Sequence, residues 1–464
     1  MRSSPISPLA RASALALRLP LVLLPILVVL SWSRPAHAYA WMIRHGYGGC
    51  NVCHADPSGG ELLTAYGRAQ GDLLLRMHYG KDDSSAAAST TDTSGASFDS
   101  FDSFDEDDGG GAAAPKAHEE KPKAEAKSEG DDGVAKSAAF MWGLFPTPDF
   151  LLLGGSYRHV VVANAGGVRT FPMQADLYGQ LSLGRLRFGG SIGASRVANN
   201  SPHARAAQVT TANDGNQWNL LSRTHWVGVD LGGQRQVTVR AGRLNLPFGL
   251  RIPEHIMWVR DATRTDRESD QSHGLAVAYN GEKLRGEVMG LAGNYQINPD
   301  KYRERGYSMF MEYRVSTPLA VGVSSLLTFA KADAITREQD STTRGAHGAF
   351  ARIVISEPLV LLAEGDVLHL SRHTIGYTGL AQLDWELVQG LHLMPAAEVL
   401  DAGHRTTPPG PGLPELDKVP GAGQPGFGGW LSADWFFLPH LEARVDAIGR
   451  QNGGMFMVQL HAYL

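Results

Sequence analysis

The chain has 464 residues, with 42 lysines and arginines against 47 aspartates and glutamates, for a net charge of −5. That balance carries no electrostatic footprint for nucleic acid. Two cysteines are the whole thiol inventory, which excludes a disulfide framework.

Residues 1–38 read as an export signal. Arg2, Arg11 and Arg18 make a basic start, and Leu19 to Leu30 is an apolar run broken by Pro20 and Pro25. Ala36-His37-Ala38 supplies a small-x-small cleavage site, with Ala38-Tyr39-Ala40 as a second possibility. The run is short for a membrane span of about 20 residues, so cleavage is favoured over anchoring.

Residues 39–80 are organised around Cys50-Asn51-Val52-Cys53-His54. C-x-x-C-H is the attachment motif of a c-type haem. Two thiols separated by two intervening residues add to the haem vinyl groups, and the adjacent histidine supplies the proximal iron ligand. A C-x-x-C disulfide or half of a zinc site is the competing reading. Zinc wants about four ligands, and no second set of Cys or His at tight spacing follows. Asp56 to Gly60 reads as a turn, and Glu61 to His78 as a helix with apolar positions at Leu62, Leu63, Tyr66, Leu73, Leu74 and Met77. The unit is too small to build a strong core alone, so a porphyrin is expected to serve as most of it. Met77 and His45 are the candidate second axial ligands, with Met42 and His78 also at hand. Methionine ligation raises the potential, and bis-histidine ligation leaves it lower.

Residues 81–137 are a linker. Fifteen acidic residues face six lysines, and Ser-Phe-Asp occurs three times between 97 and 105. Such a composition cannot bury enough apolar surface to order itself. As a flexible chain it spans roughly 40 Å.

Residues 138–464 change to short segments of alternating polarity. Ile375 to Leu387 places Tyr377, Leu383, Trp385 and Leu387 on one side and Thr378, Gln382, Asp384 and Glu386 on the other. This is the period of strands. Sixteen are expected, near 149–163, 170–184, 185–197, 217–231, 235–245, 273–281, 283–293, 306–316, 319–332, 345–356, 358–370, 374–388, 391–402, 428–437, 439–450 and 453–464. Every second connection is tight, as at Asn280-Gly281, Thr317-Pro318 and Gln389-Gly390. Long ones fall at 198–216, 246–272, 294–305, 333–344 and 403–427. An even number of strands with short turns on one side is the pattern of an outer-membrane barrel, its tight turns facing the periplasm. The fold class is therefore all-β: a roughly 16-stranded antiparallel barrel preceded by a small helical haem segment, which lies on the periplasmic side or in the lumen.

Arg240 to Arg251 contains Gly242-Arg243-Leu244-Asn245-Leu246-Pro247-Phe248-Gly249, which resembles the G-R-x-x-x-P-F-G segment of bacterial porins. The loop that follows carries Arg251, Arg260, Arg264 and Arg267. It reads first as an ordinary solvated loop. The porin alternative is that it folds inward and its arginines select anions.

Taken together, the signal, the single C-x-x-C-H head and the barrel resemble the fused monohaem cytochrome–porins of the bacterial outer membrane. The resemblance covers the architecture of residues 1–464 and rests at residue level on Cys50, Cys53, His54 and the porin-like phrase. It implies electron transfer across the outer membrane, with a periplasmic electron-transfer cytochrome on one side. Ferrous iron is the best-known extracellular redox partner. The long acidic linker is a departure from that pattern. Two other functions compete: a diffusion porin with a separate periplasmic haem carrier or redox sensor, and a structural barrel without haem. No hydrolase or transferase constellation stands out.

Overall fold

The computed structural model describes residues 40, 42–45, 50–57, 59–77, 140–145, 147–197, 217–232, 236–254, 256–267, 269–297, 299–335, 339–406, 424–451 and 453–463. The export signal, the whole of the linker 81–137 and His78 lie outside the described residues.

From residue 151 onward the chain is a meander of antiparallel strands. They are β1 Leu151–Asn164, β2 Gly167–Leu183, β3 Leu186–Val197, β4 Gln217–Leu221, β5 His225–Leu231, β6 Val237–Asn245, β7 Gln271–Asn280, β8 Leu284–Gly293 and β9 Arg305–Ser316. The series continues with β10 Leu319–Ala330, β11 Thr342–Ser356, β12 Leu359–Leu370, β13 Gly376–Val388, β14 Leu391–Asp401, β15 Gly426–Leu438, β16 Leu441–Arg450 and β17 Gly453–Tyr463. Sequential strands pair throughout, and β1 pairs with both β2 and β17, which closes the sheet. β4 and β5 both pair with β3 and form one stave interrupted at 222–224. The result is a closed barrel of sixteen staves, as the alternation predicts. Closure pairs the backbone of every stave and leaves no open edge, the condition for strands to cross lipid.

The outer surface is apolar. Leu177, Ile192, Val227, Leu275, Val288, Val367 and Phe456 are all exposed. Tyr279, Tyr313, Trp385 and Trp435 stand exposed close to the tight turns, the place of an aromatic girdle at a membrane interface.

The inner surface departs from a simple polar pattern. Asp176, Arg240, Glu312, Asp384 and Arg444 point inward and are buried, but so do Phe310, Leu326, Phe350, Leu362 and Trp430. Two inward segments cover those apolar groups. One is the loop 246–270, which carries the short helix Trp258–Asp261. Its Leu250, Ile252, Met257 and Val259 pack on the wall. The other is the N-terminal segment 40–77, whose Met42, Ile43 and Leu75 join the same cluster. A second cluster nearer the long loops joins Leu246, Phe248 and Trp258 to Leu291, Leu326, Leu368 and Leu400. The reading of 246–270 as a solvated loop is therefore corrected. Its alternate positions are apolar, and the wall supplies a partner for each end. Leu250 N–H donates to Glu364 at 2.8 Å and Trp258 N–H donates to Glu398 at 2.9 Å.

The outward position of Val288, midway along β8, yields a test. Val288→Arg should destabilise the barrel in vesicles by about 2–4 kcal/mol, the depth-dependent cost of a cation facing lipid. Equilibrium unfolding by denaturant, compared with the parent chain, measures it.

Candidate haem site inside the barrel

The motif forms a tight turn. Cys50–Val52 is a single helical turn, and the amides of Cys53 and His54 both donate to the Cys50 carbonyl, at 3.2 and 2.9 Å. Both cysteines are free thiols. Burial, with Cys50 beside it, raises the Cys53 thiol to about 11. His54 is fixed through its Nδ1, which lies 3.1 Å from the Gly60 carbonyl. Donation there sets the tautomer and leaves Nε2 for a metal, the usual arrangement of a ligating histidine. Burial and the neighbouring Arg267 push the imidazole down to about 4, so it is neutral near pH 7.

The expected helix over Glu61–His78 starts later and is shorter. α1 spans Ala65–Gln70, and a wider π-type turn continues it over Gly71–Leu75. Gly59, Gly60 and Glu61 all adopt positive φ, so the chain cannot enter a helix there. Thr64 caps α1 instead, its hydroxyl accepting from Gly67 N–H at 2.9 Å. The glycines that weaken the helical pattern have a packing role. A Cβ at Gly59 would lie 2.8 Å from Cys50 Cβ, and one at Gly67 would strike the Cys53 carbonyl. Glycine therefore lets the turn and the helix close around the two thiols.

Ion pairs dock the segment on the inner wall. Arg44 donates to Asp384 at 2.8 Å and to Glu386 at 2.9 Å, both on β13. Arg44 and Asp384 are at most 1% exposed in their side chains, so neither charge is screened by water. Asp56 pairs with Arg240 of β6 at 3.1 Å. Cys50 Sγ accepts from Arg285 of β8 at 3.1 Å, and the same guanidinium forks onto Glu312 of β9. Glu61 accepts from Thr224 at 2.7 Å and from Asn245 at 3.1 Å. Toward the tight turns, Met77 N–H donates to the Phe436 carbonyl at 2.8 Å, and Gln389 donates to Leu73. The segment thus enters from the tight-turn rim and reaches inward past β6 and β8.

Cys50, Cys53 and His54 open together onto one cavity of about 260 Å³ between the segment and the wall. Trp430 and Phe436 line its apolar side. Met77 and His45, the sequence candidates for a second axial ligand, are not among the lining side chains. Met42 is, together with Met457 and His461 of β17. The wall donors were invisible in the sequence, since β17 lies some 400 residues from the motif and its alternation reads only as a strand. His461 is held by Glu442 at 3.1 Å through Nδ1 and by Ser156 at 3.1 Å through Nε2. The donor set fits a c-type haem: two free thiols and an oriented imidazole share one apolar-sided cavity. Among the described residues no group of three or more His, Cys, Asp or Glu is placed to hold a bare metal ion.

The four loop arginines divide. Arg260 pairs with Glu364, and Arg264 with Asp333 at 2.9 Å. Arg251 and Arg267 line the cavity. Glu254 of the same loop is buried against Arg444 at 2.8 Å.

The sixteen staves, lipid-facing exterior and inward loop define a barrel of the outer-membrane porin type. No protein-family model matches the chain, and no curated protein matches it. Among solved structures, the chain is similar to a loop-deletion mutant of OmpT, an outer membrane protein of Vibrio cholerae. That pair shares 9% identity, covers 68% of this chain and 99% of the other, and has a TM-score of 0.49. Salmonella typhi OmpF is similar at 12% identity, 68% and 97% coverage and a TM-score of 0.47. The anion-selective porin of Comamonas acidovorans is similar at 12% identity, 68% and 99% coverage and a TM-score of 0.45. The class assignment rests on the strand topology of this chain.

The docking of the segment is testable at Asp384. Asp384→Ala removes the fully buried partner of Arg44 and leaves it only Glu386, a loss of up to about 3–5 kcal/mol, the cost of a broken buried pair. Residues 50–77 should become more sensitive to protease, and single-channel conductance should rise. Glu386→Ala, with its partly exposed carboxylate, should do less on both readouts.

Proposed function

We propose that this chain is a monohaem c-type cytochrome housed in an outer-membrane barrel, which carries single electrons across that membrane. The observation that supports it is the C-x-x-C-H turn facing a cavity inside the barrel rather than standing on a detached head. Cys50 and Cys53 would hold the macrocycle as thioethers, and His54 would supply an imidazole to its iron. The haem, when bound, supplies a ferrous–ferric couple that needs no bond making.

The chain's own residues do the rest. Arg44, Asp56 and Glu61 keep the segment against the wall, so the couple sits at a set depth. Trp430, Phe436 and the loop 246–270 exclude water from the cavity's apolar side. A lower local dielectric and fewer water dipoles reduce the reorganisation that accompanies each electron. The barrel insulates the path from lipid. With tight turns toward the periplasm, the segment enters from that side, within reach of a periplasmic electron-transfer cytochrome. An extracellular redox partner such as ferrous iron would exchange electrons from the long-loop rim. The packed lumen argues against the alternative of a diffusion porin with an independent head, since a diffusion channel keeps a polar, water-filled interior.

Cys50→Ala with Cys53→Ala should abolish covalent haem, read by a haem stain on denatured protein, while the barrel still assembles. Haem retained in that double variant would remove the basis of the reading. Deleting 40–77 provides a second arm. Electron transfer across vesicles carrying the barrel should cease, and ion conductance should rise as the lumen empties. Unchanged conductance after the deletion would favour the independent-head alternative.

A further inference from the structure

Asp366 of β12 points inward and is only 3% exposed, yet neither of its carboxylate oxygens meets a hydrogen-bond donor among the described residues. Glu364 shares its face, since side chains alternate along a strand, and lies within hydrogen-bond reach of it. Glu364 spends one oxygen on the inward loop: Oε2 accepts from Leu250 N–H at 2.8 Å and from Arg260. Its Oε1 has no donor among the described residues. Ser324 of β10 stands across Gly348 of β11 from Asp366, in one cross-strand row of the inner face. It is equally buried, and its hydroxyl has no hydrogen-bond partner among the described residues. Two glycines make the room. A Cβ at Gly348 would strike Asp366 Oδ1, and one at Gly249, where the porin-like phrase ends, would strike Glu364 Oε1.

Charge decides what belongs there. Arg260 is the guanidinium that reaches the two carboxylates. At the row of Asp366 the neighbouring strands present Ser324, Gly348 and Thr378, none of them charged. A second carboxylate held out of water beside the first costs free energy unless a proton or a cation joins them. A proton would satisfy the contact between the pair and leave the other Asp366 oxygen and the Ser324 hydroxyl unpartnered. Water would partner them without cancelling the charge. A metal cation does both. Carboxylate and hydroxyl oxygens are the donors of a hard cation. Leu250 and Arg260, bonded to Oε2, orient Glu364 as hydrogen-bonded outer groups orient a metal's ligands. Magnesium demands a near-regular octahedron, whereas calcium accepts an irregular set completed by water.

We propose that Asp366, Glu364 and Ser324 bind a calcium-type divalent cation, which fastens the inward loop to β10, β11 and β12. Asp366 offers both oxygens, Glu364 its Oε1 and Ser324 its hydroxyl. The cation and the loop then meet on one carboxylate, Glu364, from opposite oxygens. None of the three residues lines the cavity that the thiols share, so the site is separate from it.

The test is calcium binding to the purified full-length chain, washed with chelator and held in detergent free of lipopolysaccharide. Equilibrium dialysis and the denaturant midpoint are the readouts. The parent should bind one Ca2+ that Asp366→Asn does not, and its midpoint should rise with Ca2+, as for any ligand of the folded state alone. Without Ca2+, Asp366→Asn should be at least as stable as the parent, because it removes a buried charge that lacks its counter-ion. Ser324→Ala removes a neutral ligand and should weaken the affinity by about tenfold, which keeps the proposal testable if Asp366→Asn assembles poorly. Asp340→Asn alters an exposed carboxylate paired with Arg372 on a long loop and should bind as the parent does. Ca2+ should also slow protease cleavage within 246–270 in the parent and not in Asp366→Asn. A parent that binds no Ca2+, with a midpoint that answers to pH alone, would point to a shared proton and overturn the site. Binding retained at parent affinity in both Asp366→Asn and Ser324→Ala would overturn it as well. These measurements stand with or without covalent haem, so their failure is distinct from failure of the function proposed above.

Discussion

A guanidinium buried out of reach of water must find a carboxylate, and Arg44 finds two. Its position between Asp384 and Glu386 decides where the N-terminal segment sits. Asp384 is also fixed from the wall, since His392 lies 2.9 Å away. Once Arg44 is seated, the motif six residues later has little freedom. Asp56 meets Arg240, Glu61 meets Asn245, and the two cysteines face the cavity. Pairs of this kind add little net stability compared with apolar packing, because both charges lose hydration. Their value is in register, since this one seat on the wall satisfies all of these charges together.

The lumen has a second property that follows from that docking. Apolar side chains point into it from β9 to β15 and are covered by Met42, Ile43, Leu75 and the inward loop. Leu250 and Met257 meet Phe310, Phe350 and Leu362 as they would in a soluble core. Arg450 lies over both Trp258 and Trp430, at 4.7 and 5.6 Å from the ring centroids, and closes the gap between loop and wall. A barrel of this size without such filling is a wet channel. Here a cavity beside the thiols is bounded by protein on its sides. Under the function proposed above, that enclosure would let a one-electron couple exchange charge with little solvent rearrangement.

The two halves of the chain therefore act on each other. The barrel gives a segment too small to fold strongly alone the surfaces it lacks, and the segment gives the barrel an interior. The inward loop belongs to both: Glu364 and Glu398 fasten it to the wall, and Arg251 and Arg267 present it to the cavity. A loop that in an open pore would screen solutes is folded here against the cavity that Cys50, Cys53 and His54 share.

Strand number, strand positions and the lipid-facing side were legible in the sequence because a period of two is local and lipid imposes it on every stave. The C-x-x-C-H motif was legible for the same reason: its spacing is a property of five consecutive residues. The helix start was misread, since the positive φ of Gly59, Gly60 and Glu61 and the Thr64 cap outweigh an apolar periodicity that begins at Leu62. The loop was misread as solvated because arginines look alike in sequence whether they face water or a buried carboxylate. Tertiary structure alone joined Arg44 to Asp384 across 340 residues, split the four loop arginines into anchored and cavity-facing pairs, and put Met42, Met457 and His461 in one cavity with His54. The physical reason is the inside of the barrel. Lipid sees every outward residue alike, but each inward residue sees only the particular segment that fills the space in front of it.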